Sequence, residues 1–195
     1  MSCMSETCPS GIPHVRSTRT VALARTVQEL EEHQSHRGWD APVAVFALVR
    51  TADALEVDPE LATLLDPEAL EQARTDPEAL TAIEQEGLPA AAGLEDLLSQ
   101  LAWPEGVDGV AVAVERVMLP PRASQDAAAI TDEAERAAYL AGRADKDDVR
   151  IVVGVLRGGE TWCALRTRSH DSPDAVAQGP RLVPGLSTAL AATLV

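Results

Sequence analysis

The sequence predicts a single α+β domain. About four mostly antiparallel strands form one sheet covered by helices, with an acidic multi-helix insertion between the first two strands. Three observations predict it. "VRIVVGVLR" and "ETWCALRTR" flank Gly158-Gly159 as the arms of a hairpin. "GVAVAVERVML" alternates Val110, Val112 and Val114 with Ala111, Ala113 and Glu115, the period of a strand. Between the earlier apolar run "PVAVFALVR" and that strand, Asp-Pro-Glu occurs three times, at Asp58, Asp66 and Asp76.

Residues 1–16 read as a disordered tail ahead of a domain spanning 17–195, and Met4 is a second candidate start. A helix runs from Ser17 to about Ser35, with Val21, Ala24, Val27 and Leu30 on its apolar side and Leu23 beside them. "QELEEHQSHR" supplies the polar face, Ser17 or Thr18 the cap and Gly38 the stop. "GWDAP" turns the chain into Pro42–Arg50, a strand buried on both faces, and Thr51 caps the helix after it.

Each Asp-Pro-Glu reads as a helix start. The Asp carboxylate accepts the unpaired N–H groups of a first turn, Pro follows without losing a hydrogen bond, and Glu sits at the positive end of the dipole. Leu61, Leu64, Leu65, Leu70 and Leu80 supply the buried side of these short segments. A calcium loop needs ligands at alternating positions and a mid-loop glycine, which this stretch lacks. A short helix follows from about Leu94 to Ala102. "PPRASQDAAAI" reads as a surface connection. Thr131 caps a helix to about Ala141, and a last helix starts near Pro184.

A two-residue hairpin turn sets Val155 opposite Trp162, Gly154 opposite Cys163 and Ile151 opposite Arg166. Trp162, Arg166 and Arg168 then share a face with Val149 and Ile151. Cys163 lies on the other face as a small, buried, unreactive apolar group.

The net charge is −15 and uneven. From Asp53 to Glu105 there are 14 acids and one base, Arg74, giving −13, while the rest of the chain carries 17 acids and 15 bases. Such a field repels phosphate backbones and anionic membranes, so the expected partner is a protein with a basic surface, with neither nucleic acid nor membrane. No apolar run reaches the ~18 residues of a bilayer span, and the N-terminus lacks an apolar signal-peptide core, so the expected location is the cytoplasm. Cys3, Cys8 and Cys163 make no disulfide framework, and Cys3, Cys8 and His14 match no zinc knuckle. No cofactor is expected.

"GWDAPVAVFALVRT", "VAVAVERVMLPP", "DVRIVVGVLRGGETWCALRTRSHD" and "LVPGLSTALAATL" together resemble an uncharacterised family of actinobacterial proteins that carries a locus-style placeholder name. The resemblance spans about Val21 to Leu194. It implies a soluble, single-domain actinobacterial protein and transfers no activity or catalytic residue. Members often carry a His-Pro pair before the hairpin; "AGRADKDD" stands there in this chain.

No residue is assigned as catalytic. Ser169, His170 and Asp171 are sequence neighbours whose side chains diverge on an extended chain, which is not triad geometry. Ser187 in "PGLSTA" lacks the strand-turn-helix context of a nucleophile elbow. His33 and His36, each four residues after a glutamate, are weak metal candidates. The ligand or partner candidates are Arg166, Arg168, His170 and Asp171, with at least one of the two arginines expected to pair with a carboxylate of the acidic insertion. The sequence therefore points first to a non-enzymatic interaction or regulatory module with an acidic helical face. The alternative is an enzyme or binding protein for a small anion at the Arg166, Arg168 and His170 strip. The sequence does not set the oligomeric state.

Overall fold

The computed structural model describes residues 17–194. The expectations for the N-terminal tail, Met4, Cys3, Cys8 and His14 lie outside them. Helix α1 (Thr18–His36) precedes β1 (Ala44–Arg50), α2 (Thr51–Val57), a 3-10 turn (Pro59–Thr63), α3 (Pro67–Thr75), β2 (Leu80–Glu84) and α4 (Leu94–Ser99). Then come β3 (Gly109–Met118), α5 (Pro121–Ala129), α6 (Glu133–Ala141), β4 (Asp147–Leu156), β5 (Thr161–Thr167), two 3-10 turns, β6 (Ala177–Gly179) and α7 (Pro184–Ala191). The sheet has six strands rather than about four, ordered β2-β1-β3-β4-β5-β6 with every pair antiparallel. The two additional strands are its edges. Among the described residues no helix is long and apolar enough to cross a membrane.

Alternation along the strands divides the core. The valines of β3 meet Val153, Cys163, Leu97, Leu98 and Leu190 under α4 and α7. The alanines Ala44, Ala111, Ala113 and Ala164 face α1, which lays Leu23, Val27 and Leu30 on them. Small side chains let α1 approach closely. A Cβ at Gly154 would stand 2.7 Å from Val27 Cγ2 and 2.8 Å from Leu23 Cδ1. The buried stripe of α1 is Leu23, Val27, Leu30, Glu31 and Gln34, rotated from the expected one, and Val21 faces solvent.

Ser17 caps α1 as expected, accepting from Thr20 N–H. Two Asp-Pro-Glu triplets open helical turns: Asp58 accepts from Glu60 N–H at 3.0 Å and Asp66 from Ala69 N–H at 2.7 Å. Asp76 makes the same bond to Glu78 N–H at 3.0 Å, but there the chain turns into β2. A capping aspartate satisfies whichever N–H groups follow it, so the motif specifies a turn and leaves the next element to tertiary pairing. Of the leucines expected on a buried side, Leu61, Leu65, Leu70 and Leu80 are only partly buried, and Leu64 is exposed.

Three further expectations are corrected. Thr51 does not cap α2; its hydroxyl donates to Ala79 carbonyl oxygen at 3.2 Å and ties β1 to β2. Asp132 rather than Thr131 caps α6. "PPRASQDAAAI" forms α5, with Ala123 and Ala127 buried.

The hairpin register is one residue from the expected one: Val155 faces Thr161, Gly154 faces Trp162, Val153 faces Cys163 and Arg150 faces Arg166. Arg157 N–H is taken by Asp108 carbonyl oxygen across from β3 at 2.8 Å, so it does not pair with Glu160. Leu156 N–H instead donates to the Glu160 carbonyl oxygen, Gly159 N–H donates to that of Leu156, and Gly159 is left-handed at φ 91°. This is a three-residue loop. One step of register exchanges the faces of a strand. Trp162 and Arg166 therefore lie under α1, and Cys163 lies fully buried among the valines, with Sγ 3.9 Å from Ser187 Oγ.

Gly154→Ala should destabilise the fold by about 1–3 kcal/mol, because Val27 and Leu23 sit in a filled core and must both move. The ~1 kcal/mol that alanine returns in chain entropy is smaller. Urea unfolding of Gly154→Ala checks the sign, and an unchanged midpoint would show that α1 yields freely.

Candidate functional site

At one end of the sheet the apolar rows stop. Beyond the row Ala113, Val152, Ala164 comes Glu115, Arg150, Arg166 on three adjacent strands, facing α1. Directly opposed arginines repel. Both are buried, Arg150 at 2% and Arg166 at 4% exposure, so each needs its own carboxylate. Arg150 takes Glu115 Oε1 from Nη2 at 2.8 Å and Nε at 3.2 Å, and also donates to Gly38 carbonyl oxygen. Arg166 takes Glu31 of α1 in a two-pronged pair, Nε to Oε1 at 2.6 Å and Nη2 to Oε2 at 2.8 Å, and Asp171 Oδ1 at 3.2 Å. Glu31 is itself 3% exposed.

Trp39 closes the end of the row. Its ring lies 4.5 Å from the Arg150 guanidinium and 5.5 Å from that of Arg168, and its indole N–H donates to Asp171 Oδ2 at 2.8 Å. Asp40 adopts φ 64°, a left-handed conformation Asp tolerates better than most residues, and its N–H donates to Glu115 Oε2 at 2.7 Å. One glutamate thus holds both the turn after α1 and the buried Arg150.

Arg168 lies past the end of β5, in the 3-10 turn Arg168–His170. It pairs with Asp40 Oδ2 at 2.9 Å and Asp148 Oδ2 at 3.0 Å. Ser169 Oγ bonds Asp147 and sits 2.8 Å from His170 Nδ1. The hydroxyl, rather than the imidazole, is the middle member of that chain, so the geometry differs from a nucleophilic triad, in which histidine bridges the other two.

The hydrogen bonds that Arg168 donates to Asp40 and Asp148 push its guanidinium further toward the charged form, and those donated to Glu31 do so for Arg166. The Trp39 indole, and then Arg166, hold the Asp171 carboxyl below the usual carboxylate range.

Of the sequence candidates, Arg166 and Asp171 touch directly, Arg168 joins them through Trp39, and His170 remains at the exposed edge. The carboxylates come from α1, the Trp39 turn and the start of β4, not from the acidic insertion as expected. His33 and His36 are exposed near the end of α1, and among the described residues no three His, Cys, Asp or Glu side chains converge as metal ligands. A groove of about 140 Å³ runs beside Arg166, between Glu32 and His36 of α1 and Val176 and Gln178. It is less than half the ~300 Å³ at which small-molecule sites begin. Sequence reasoning missed Glu31, Trp39, Asp40 and Arg150. Glu31 had a readable signal: it lies four residues after Val27 and eight after Leu23, a carboxylate on the buried stripe.

A family model described as PPA1309-like protein matches residues 23–195. Curated proteins and solved structures gave no match to the chain.

Two outcomes follow from this geometry. Arg166→Ala leaves Glu31 buried and unpaired and should cost about 3–5 kcal/mol in urea unfolding, while Arg168→Ala, at an exposed pair, should cost no more than ~1 kcal/mol. The double replacement Glu31→Leu with Arg166→Met should recover most of the loss. The second outcome concerns pH. A folded-state pKa held below the unfolded value, about 3.9 for Asp, adds stability above that value and loses it as pH falls through the lower, folded one. Asp171→Asn should therefore lower the urea midpoint clearly at pH 7 and much less at pH 3. An equal drop at both would show that the charge of Asp171 is not what holds the turn.

Proposed function

The chain belongs to the PPA1309-like protein family, and we propose that it is a non-enzymatic interaction module of the actinobacterial cytoplasm whose acidic insertion docks a partner with a basic surface. One observation carries this reading. The segment from Asp53 to Glu105 carries a net −13, and its first part, from α2 through α3, contributes no residue to the core. The 3-10 turn and α3 bury no side chain, and Val57 and Leu64 stand 88% and 81% exposed among the carboxylates. Glu56, Glu60, Glu68 and Glu86 are exposed and, among the described residues, form no ion pair within 4.0 Å. The field reaches α1. Burial raises the pKa of Glu29, and the carboxylates of Asp66 and Glu68 push it the same way against Arg25.

The saturation of Arg166 and Arg168 by carboxylates supports the same reading over an anion site. A free anion at the strip must displace Glu31 from a buried two-pronged pair, or Asp40 and Asp148 from Arg168. A dense set of fixed carboxylates attracts basic proteins at long range, and salt weakens that attraction.

The test compares the wild type with a variant carrying Glu56→Gln, Glu60→Gln, Glu68→Gln and Glu86→Gln. The substitutions should leave stability within about 0.5 kcal/mol. Immobilised wild type in native-host lysate should retain basic proteins that elute with salt, and the variant should not. Retention of the same proteins by the variant would place the contact elsewhere on the molecule.

A further inference from the structure

We propose that the outer edge of β2 is a docking strand, which takes up an extended, basic segment of the partner by β-strand addition. This rests on the acidic-face reading and adds how the partner is held.

The ladder with β1 sets which backbone groups are free. Thr51 N–H donates to Ala79 carbonyl oxygen at 2.9 Å, and Gln85 N–H donates to Val45 carbonyl oxygen at 2.8 Å. Residues 79, 81, 83 and 85 therefore turn their backbone groups toward β1. Leu80, Ala82 and Glu84 turn theirs outward, and among the described residues nothing bonds to them there. β2 contains no proline, lysine or bulge, and its register with β1 is continuous over all five residues. The opposite edge is blunt by comparison. β6 is three residues long, and Pro180 follows it at once, its carbonyl taken by the Thr161 hydroxyl at 2.6 Å. An open, unprotected edge is a template for a further strand.

The charge around β2 selects the occupant. Asp76 and Glu78 precede the strand and Glu84 ends it; they are held by Arg25 and Arg19 of α1 and by Arg37, which caps α1, at 3.9, 3.0 and 2.8 Å. These three pairs fix the edge against α1, whereas Glu86, two residues past the strand, and Glu56, Glu60 and Glu68 of the insertion form no ion pair within 4.0 Å among the described residues. A second copy pairing edge to edge would set one −13 segment against another. A basic extended segment meets complementary charge, and Ile83, exposed at 43%, offers it an apolar contact on the far face.

The test uses the full chain and a short synthetic peptide alternating lysine and valine. The second probe is the same peptide N-methylated at alternate backbone nitrogens, which keeps the charge and removes the donors of one edge. The plain peptide should bind with slowed amide exchange at Ala82 and Glu84. N-methylation should weaken binding at least tenfold. Ala82→Pro removes an outward N–H and no internal bond, and should weaken it at least tenfold as well. If that variant unfolds, the N-methylated peptide alone decides. Equal binding of both peptides, lost in the four-glutamine variant, would overturn strand addition and leave the acidic-face reading standing. Binding of neither at physiological salt would overturn both. A concentration-dependent dimer of the chain that Ala82→Pro abolishes would replace the basic partner with a second copy.

Discussion

The paired burial of Arg166 and Glu31 is the constraint on which the rest of the sheet end depends. Two arginines on neighbouring strands face each other across β4 and β5 and are removed from water. Neither is tolerable without a carboxylate of its own. Arg150 finds Glu115 on β3, its other neighbour in the row. Arg166 has no acidic neighbour within the sheet, so its carboxylate comes from above, from α1. That requirement fixes the rotation of α1 about its axis. Only when Glu31 points down do Leu23, Val27 and Leu30 also point down, onto a surface of alanine and glycine small enough to admit them. The ion pair and the apolar stripe then specify one docking geometry twice. This is specificity more than stability, since a buried pair is worth little net beside a well-packed apolar alternative.

The same pair organises the turn that follows. With α1 anchored at Glu31, the chain leaves the helix close to Arg150, which donates to the Gly38 carbonyl oxygen and stacks on the ring of Trp39. The indole N–H then reaches Asp171, already bound to Arg166. Four segments distant in sequence close one circuit of alternating charge around an aromatic ring. Every cation in it is matched, with Asp40 and Asp148 on Arg168 at the outer rim. Such a circuit holds strand ends together. It leaves no cation free to attract a small anion.

What could be read in the sequence was what depends on local period and local caps. Val110, Val112 and Val114 announced a strand, Ser17 and Asp66 announced helix starts, and each stands where the local chemistry put it. What could not be read was what depends on a partner. Gly158-Gly159 suggests a two-residue turn, but the carbonyl of Asp108, just before β3, takes Arg157 N–H and the register moves by one. That one step carries Arg166 from one face to the other, so its neighbours were misplaced even though its need for a carboxylate was clear. Asp76-Pro77-Glu78 has the chemistry of a helix start, and pairing with β1 makes the residues after it a strand. Glu31 was legible in principle. Its spacing from Leu23 and Val27 conflicts with its charge, and a charge on an apolar stripe asks for a buried partner.

The sheet's two edges show how charge and topology divide the work. β6 is protected by shortness and by Pro180. β2 is five residues of ordinary strand with neither device, yet it lies in the most negative part of the chain. Repulsion between like fields opposes the pairing of two such edges without blocking the edge itself. A proline or an inward lysine would exclude every comer. A field of carboxylates excludes its own kind and admits the opposite sign. On the proposed reading, the acidic insertion leaves one set of outward backbone groups, at Leu80, Ala82 and Glu84, available to a cationic chain and disfavours pairing with another copy.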